Sequence, residues 1–380
     1  MNFDYSEEQQ LLADSIRRFI AKDYDFEARK KIVASKEGAS AGVWATFAEM
    51  GLLGIPFDAE QGGFGGGAVD LMSAMEAIGE GLVVEPFLPT VGLGAQFVAR
   101  GGSDAQKKVI LPAAIEGKLK LAFAHTERGA RYDLAHVAAA AKKAGKVWLI
   151  DGEKHVVLGA PLADKLVVSA RTSGKPDDAK GISLFLVDRA AAGVSLRPYL
   201  TVDETRAADV VLKGVEVGAD ALIGKEGEAL ALIEEVVDFA TALVCAESIG
   251  AMKQANDATL EYLKTRKQFG VPIGTFQALQ HRMVDMVIAA EQARSMAFLA
   301  CAKVDGETDP AERKRLVSAA KVKIADACRH VSQEAIQLHG GMGMTEELKV
   351  SHSFRRLTVI AQQFGDAEHH LERFAALDRS

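Results

Sequence analysis

A chain of 380 residues, 48% hydrophobic and 26% charged, can bury well over half of its unfolded surface and divide into two or three domains. Its formal net charge of −7 argues against a nucleic-acid surface or a polybasic membrane patch, both of which need clustered Lys and Arg. The three cysteines, Cys245, Cys301 and Cys328, sit in Ala-rich helical contexts without the CxxC or His/Cys spacing a metal needs. They read as small buried hydrophobes in a reducing compartment.

Asn2 to Gln10 is acidic and polar, without the basic and apolar regions of a signal peptide, and no apolar run reaches the ~18 residues that span a bilayer. The expected location is therefore the cytoplasm. Ser6 and Gln9 stand at capping-box spacing, and Leu11, Leu12, Ile16, Phe19 and Ile20 follow at helical period. A helical domain over residues 1–118 is predicted. Glycine interrupts it at Gly51, Gly54 and Gln61 to Gly67, and a second helical stretch runs from Ala68 to Gly81. No apolar strand leads directly into that Gly cluster and its glycines lack dinucleotide-loop order, so it reads as a loop joining two helices.

Residues 119–220 change texture to short β-rich segments, at Lys146 to Ile150, Lys165 to Ser169 and Ile182 to Val187, separated by Gly, Asp and Lys turns. Strands gathered in one block point away from a doubly wound parallel sheet. The expected fold class is α+β, with an N-terminal helical domain, a middle β-domain and a C-terminal helical bundle over 221–380. Three long helical patterns occupy that last part. One carries Leu279, Met283, Met286, Ala290, Ala293, Ala297 and Cys301 at four-three spacing. Expected boundaries are Phe269-Gly270 after the first pattern, Asp309-Pro310 before the third, and Gly340-Gly341 at its end.

Arg266-Lys-Gln-Phe-Gly270, Phe276-Gln277 and Ile336-Gln-Leu-His-Gly-Gly-Met-Gly343, in this order and spacing, resemble the acyl-CoA dehydrogenase family. The likeness runs over the whole chain, including the β-domain opening at Ala124-His-Thr-Glu127. Physical chemistry supports a nucleotide role for the C-terminal set. Arg266 at a helix end offers a planar fork of donors to a pyrophosphate, Gln277 offers an amide, and Gly340-Gly341 removes side chains where a backbone approaches a ligand. The plainer alternative is a helix-capping Arg, a core Phe and a glycine helix stop.

The resemblance implies an FAD shared across a subunit interface. A neighbour's adenosine diphosphate part would lie on Arg266, Gln268, Phe269, Gln277, Gln337, Gly340 and Gly341, all of which match the family pattern. The chain's own flavin side departs from it. Thr-Glu-Pro-Gly-Ala-Gly-Ser-Asp is here Thr126-Glu-Arg-Gly-Ala-Arg-Tyr-Asp133, which keeps Thr126 and Glu127 but puts Tyr132 in the Ser position. The flavin-contacting Trp-Ile-Thr is here Val156-Val157-Leu158, with neither indole nor hydroxyl.

The family reaction implied is α,β-dehydrogenation of an acyl-CoA thioester, in which a carboxylate base removes a proton and hydride passes to the flavin. The usual base position, in a Tyr-Glu-Gly-Thr context, reads Phe364-Gly365-Asp366, so Gly365 takes the place of the Glu. The alternative position, early in the first C-terminal helix, reads Asp238-Phe-Ala240-Thr241, with Ala240 in place of the Glu. Candidate replacement bases are Asp366, Glu368 and Glu247. Against them stand a helix N-cap for Asp366 and an interior hydrogen-bonded carboxylate for Glu247. His339, His369 and His370 read as helix-end residues without catalytic work.

Three functions follow. The favoured one is the non-catalytic subunit of a heteromer, completing an FAD site whose flavin and base belong to a paralogous acyl-CoA dehydrogenase subunit. The Phe-Gly-Asp ending resembles small subunits of heterotetrameric family members such as the pimeloyl-CoA dehydrogenase small subunit. The others are a self-sufficient homo-oligomeric enzyme using Asp366 or Glu247, and a non-enzymatic acyl-CoA-binding scaffold. Electron-transfer flavoprotein is the acceptor the resemblance implies, and neither nucleic acid nor membrane is expected as a partner.

Overall fold

The computed structural model describes residues 5–377. Among the described residues six α-helices come first: α1 (Glu7–Asp23), α2 (Phe26–Ala34), α3 (Ala41–Glu49), α4 (Ala68–Gly81), α5 (Ala95–Gly101) and α6 (Asp104–Ile115). Eight strands follow: β1 (Leu121–Ala124), β2 (Ala140–Ala144), β3 (Val147–Leu158), β4 (Lys165–Arg171), β5 (Ile182–Asp188), β6 (Val194–Leu200), β7 (Arg206–Gly218) and β8 (Leu222–Ile223). Then come α7 (Leu230–Thr265), the hairpin β9 (Lys267–Gln268) and β10 (Val271–Pro272), and α8 (Gln277–Gly306), α9 (Pro310–His339), α10 (Lys349–Gln362) and α11 (Ala367–Leu377). Helices, then strands, then helices is the expected α+β order. None of the described helices is long and apolar enough to cross a membrane.

By compactness the chain forms two units. One comprises the segments up to Lys31, Ala68–Val83 and from Thr241 onward, and the other comprises Ile32–Gly67 and Val84–Ala240.

Helix α1 of the first unit starts where the capping box predicts. Ser6 Oγ accepts the Gln9 N–H at 3.2 Å, and Gln9 Oε1 accepts the Ser6 N–H at 3.0 Å, which satisfies two otherwise orphaned donors. Helix α9 packs against α8, α10 and α11. On α8, Met283, Met286, Ala293, Ala297 and Cys301 are buried, as their spacing requires. Gly79 of α4 and Gly250 of α7 let two backbones touch: a Cβ on Gly79 would stand 2.0 Å from Glu247 O, and one on Gly250 1.8 Å from Glu76 O. Even alanine at either position would push these helices apart.

The second unit is built on one eight-stranded sheet in the order β6-β7-β3-β2-β4-β5-β8, with β1 parallel to β4. Apart from that pair and a single parallel β2–β4 contact, its pairings are antiparallel. Trp148, Ile150, Val157, Leu166, Phe185 and Val210 lie in its apolar core, with the Trp148 and Phe185 rings 5.4 Å apart. Gly62 to Gly67 is non-helical chain leading into α4, which begins at Ala68 as expected.

Candidate cofactor and active site

The seven residues matched to an adenosine diphosphate site all belong to the first unit and are all exposed. Helix α7 ends at Thr265, short of the Phe269-Gly270 boundary read from the sequence. The cause is a two-residue hairpin that takes over the chain. Ile273 N–H donates to Arg266 O at 2.8 Å, Gln268 pairs with Val271, and Phe269 and Gly270 at the turn have φ of 53° and 82°. Two consecutive positive φ values are the geometry that matches strand twist. Phe269 stands 90% exposed at this tip, edge-on to Phe276 with ring centroids 6.1 Å apart. It is not the core residue of the plainer alternative.

Arg266 immediately follows α7, and its guanidinium forms no hydrogen bond or ion pair among the described residues. Gln277 opens α8, and Gln337 lies in the last turn of α9. Gln268 is partly engaged, its Nε2 donating to Lys267 O at 2.8 Å. Gly340 caps α9 with φ 59°, and a Cβ on Gly340 or Gly341 would meet nothing within 4 Å. Packing within the chain therefore does not demand glycine at 341, and open space lies where a side chain would stand. Unused donors beside bare backbone suit an anionic, flat ligand.

The flavin-side residues belong to the second unit. Thr126 is exposed and Tyr132 half-buried. Val156 occupies a bulge between Lys154 and Val157 with φ 51° and is 52% exposed. A β-branched residue in the left-handed region is strained, and such strain persists only where the surroundings enforce it.

The Val156 N–H donates to Asp209 Oδ1 at 3.3 Å, and two residues earlier in the same strand a buried polar network begins at Lys154. Lys154 Nζ donates to Glu127 Oε1 at 2.6 Å, Ser169 Oγ at 2.9 Å and His125 O at 3.2 Å, so each of its three donors is used. Glu127 also accepts the N–H groups of Ala138 and Ala139 at 2.7 and 3.0 Å, and His155 N–H donates to Thr126 O at 2.7 Å. Burial opposes ionisation of Glu127, but Lys154 and the two backbone donors outweigh it and hold the carboxyl below the usual range. The network thus ties the Thr126-Glu127 segment to β3 from within the sheet. Residue type alone does not mark it, because Lys154 lies within the polar run Asp151 to His155 of β3.

The structure gives two of the three candidate bases in the first unit another task. Glu247 is 4% exposed and held in a bidentate pair by Arg356, with Nε to Oε1 at 2.6 Å and Nη2 to Oε2 at 2.7 Å. Asp366 Oδ1 accepts the His369 N–H at 2.9 Å, the N-cap of α11. Glu368 lies in the first turn of α11. Gly365 has φ 124°, and a Cβ there would stand 2.6 Å from both His369 Cδ2 and His370 Nε2. Its carbonyl accepts the buried Lys321 Nζ at 2.8 Å. A side chain at 365 has no room, and the adjacent Phe364 offers no proton acceptor either. Ala240 is fully buried.

His339, His369 and His370 are each pushed towards the neutral form by burial. Burial, reinforced by Lys321 and Arg373, pushes His370 down to about 2, and burial lowers His339, whose ring stacks on Tyr262 at 4.5 Å. The three cysteines are buried and free, and burial pushes Cys245 and Cys328 up to about 12. They are inert hydrophobes at neutral pH.

A chain of helices, then one block of strands, then helices is a fold of FAD-dependent oxidoreductases. Family models for the N-terminal, middle and C-terminal domains of acyl-CoA dehydrogenase match residues 6–118, 122–215 and 230–376. This chain belongs to the acyl-CoA dehydrogenase family, flavoproteins that act on CH–CH bonds of acyl-CoA. Acyl-CoA dehydrogenase FadE12 of Mycobacterium tuberculosis is 30% identical over 92% of this chain and 90% of its own length. Among solved structures, a variant of the Tcur3481-Tcur3483 steroid ACAD is 29% identical, covers 98% of both chains and has a TM-score of 0.87. The FAD complex of PigA is 26% identical over 99% of this chain and 98% of its own, with a TM-score of 0.91.

Proposed function

We propose that this chain is the non-catalytic subunit of a heteromeric FAD-dependent acyl-CoA dehydrogenase. One observation carries the reading: Glu247 is held by Arg356 and Asp366 caps α11, while the nucleotide-side residues are exposed and largely unengaged. When bound, FAD accepts hydride from the carbon β to the thioester carbonyl as a carboxylate removes the α proton. In this chain Arg266 and Gln277 would hold the pyrophosphate of a neighbour's FAD. Gly340 and Gly341 would let its adenosine part lie against the backbone, with Gln268, Phe269 and Gln337 around it. Thr126 would remain the flavin-side contact that this chain retains. The paralogous partner then carries the base and the flavin-facing Trp and Thr, and electron-transfer flavoprotein is the proposed acceptor. The name of the Tcur3481-Tcur3483 enzyme, which joins two components, agrees with a two-chain assembly. The division into domains at about residues 118 and 220 belongs to this same reading.

The experiment is a flavin count. The chain is purified alone and after co-expression with neighbouring paralogues, and FAD is measured per polypeptide. About one FAD for every two chains, obtained only with a partner, is the expected result, whereas one per chain in the isolated protein means self-sufficiency. In the same complex Arg266→Ala should weaken FAD retention by about 1.5–3 kcal/mol, the range for a hydrogen bond to a charged group. Unchanged FAD content in that variant would remove Arg266 from the site.

A further inference from the structure

Outside these residues the first unit holds a cavity of about 550 Å³, walled by α1, α4, α7 and the start of α10. That volume is in the range of small-ligand sites. Ile20, Tyr24, Phe26 and Ala77 line it with apolar surface, and Lys349, the first residue of α10, enters it. Two other cations of the wall, Arg17 and Lys253, are paired, to Glu80 at 2.9 Å and Asp257 at 2.6 Å. Lys349 makes no ion pair among the described residues, and its Nζ donates to the carbonyl oxygen of Glu80 at 2.7 Å. A neutral amine that donates one hydrogen to a carbonyl keeps its lone pair free for another atom.

We infer that Lys349 is an acylation site, at which acyl-CoA thioesters transfer their acyl group to the protein. The neutral amine attacks the thioester carbonyl, an amide bond forms, the C–S bond breaks, and CoA leaves as its thiol with the proton released by nitrogen. No further reactant is required, and the family's own substrate class supplies the acyl donor. The apolar wall would take the acyl chain, and the open side of the cavity would leave the nucleotide end of CoA in water.

The surroundings activate the amine. Burial, aided by Arg29, lowers Lys349 to about 8, against a partly compensating Glu80. Placement at a helix N-terminus acts in the same direction. Desolvation next to another cation is an established way to make a lysine nucleophilic near neutrality. At pH 8 about half of the Lys349 amine is neutral, against roughly 1 in 250 for an ordinary lysine. Lower basicity gives back part of that advantage, so an excess in rate of about tenfold over a solvated lysine is expected.

The test uses octanoyl-CoA as probe and the full chain, with site-by-site acylation followed by peptide mass spectrometry. Lys349 should label about tenfold faster than the exposed Lys142 and Lys175, and its rate should level off above pH 8 while theirs continue to climb. Lys349→Arg should abolish that fast-labelling site and leave the thermal unfolding midpoint in place. Labelling of Lys349 no faster than of Lys142, or a rate still rising at pH 10, overturns the assignment. The result is independent of whether the chain works as a heteromer.

Discussion

Flavin bleaching by a panel of acyl-CoA thioesters is expected to be slower by a factor of about 10²–10⁴ with the purified chain alone than with the assembled heteromer. That factor is what a positioned general base contributes. In the proposed assignment Phe364-Gly365 stand at one base position and Ala240 at the other, and none of these side chains can take a proton. A relocated base would have to come within about 3 Å of the substrate's α proton. Glu247 is committed to Arg356 through two short contacts, and Asp366 to the first turn of α11. Asp366→Asn is the clean control, because asparagine caps a helix about as well as aspartate but cannot act as a base. It should leave the residual rate unchanged. Glu247→Gln should also leave it unchanged, once circular dichroism has confirmed the fold of a variant that lacks Arg356's charged partner. Robust bleaching by the unmodified chain, abolished by either substitution, would identify the base and end the heteromer reading.

Lys154→Met is expected to destabilise the sheet-containing unit by about 3–5 kcal/mol, the usual cost of leaving one member of a buried ion pair behind. Lys154 is fully buried, and Glu127 is 7% exposed. Removing the ammonium therefore strands a carboxylate together with the Ser169 hydroxyl and the His125 carbonyl. The urea midpoint followed by tryptophan fluorescence reads this directly, since Trp148 lies in the same sheet core. Replacing both partners, Lys154→Met with Glu127→Gln, should recover part of the loss, because no unpaired charge then remains. A single variant as stable as the parent would mean that the network does not hold the Thr126 and Val156 segments.

The acid side of the stability curve should show the same carboxylate. The folded pKa of Glu127 lies below its unfolded value, so the folded state binds fewer protons between the two. Its contribution is fully present above the unfolded value, near 4.3, and is lost as pH falls through the folded one. Glu127→Gln should flatten that part of the acid-unfolding profile.

Much of the architecture was legible because it rests on short-range chemistry. The Ser6/Gln9 cap, the onset of α4 at Ala68, the Asp309-Pro310 start of α9 and its Gly340 stop each depend on a few adjacent residues. The end of α7 was misplaced because a hairpin closed by the Arg266–Ile273 hydrogen bond competes there with continued helix, and local periodicity carries no trace of that competition. The exposure of Arg266, Gln277 and Gly340-Gly341 is decided by the folded chain, whereas their donors and bare backbone are plain in residue type.

The sequence by itself determined the α, β, α plan and the family, which are properties of residue identity and spacing. Only the tertiary structure decided that Glu247 belongs to Arg356, 109 positions away, that a Cβ at 365 would strike His369 and His370, and that Glu127 and Lys154 form one buried network. The reason is physical. Whether a carboxylate is a base, a cap or half of an ion pair depends on which donors lie within about 3 Å of its oxygens, and in a folded chain those donors come from segments whose separation along the sequence says nothing about their distance in space.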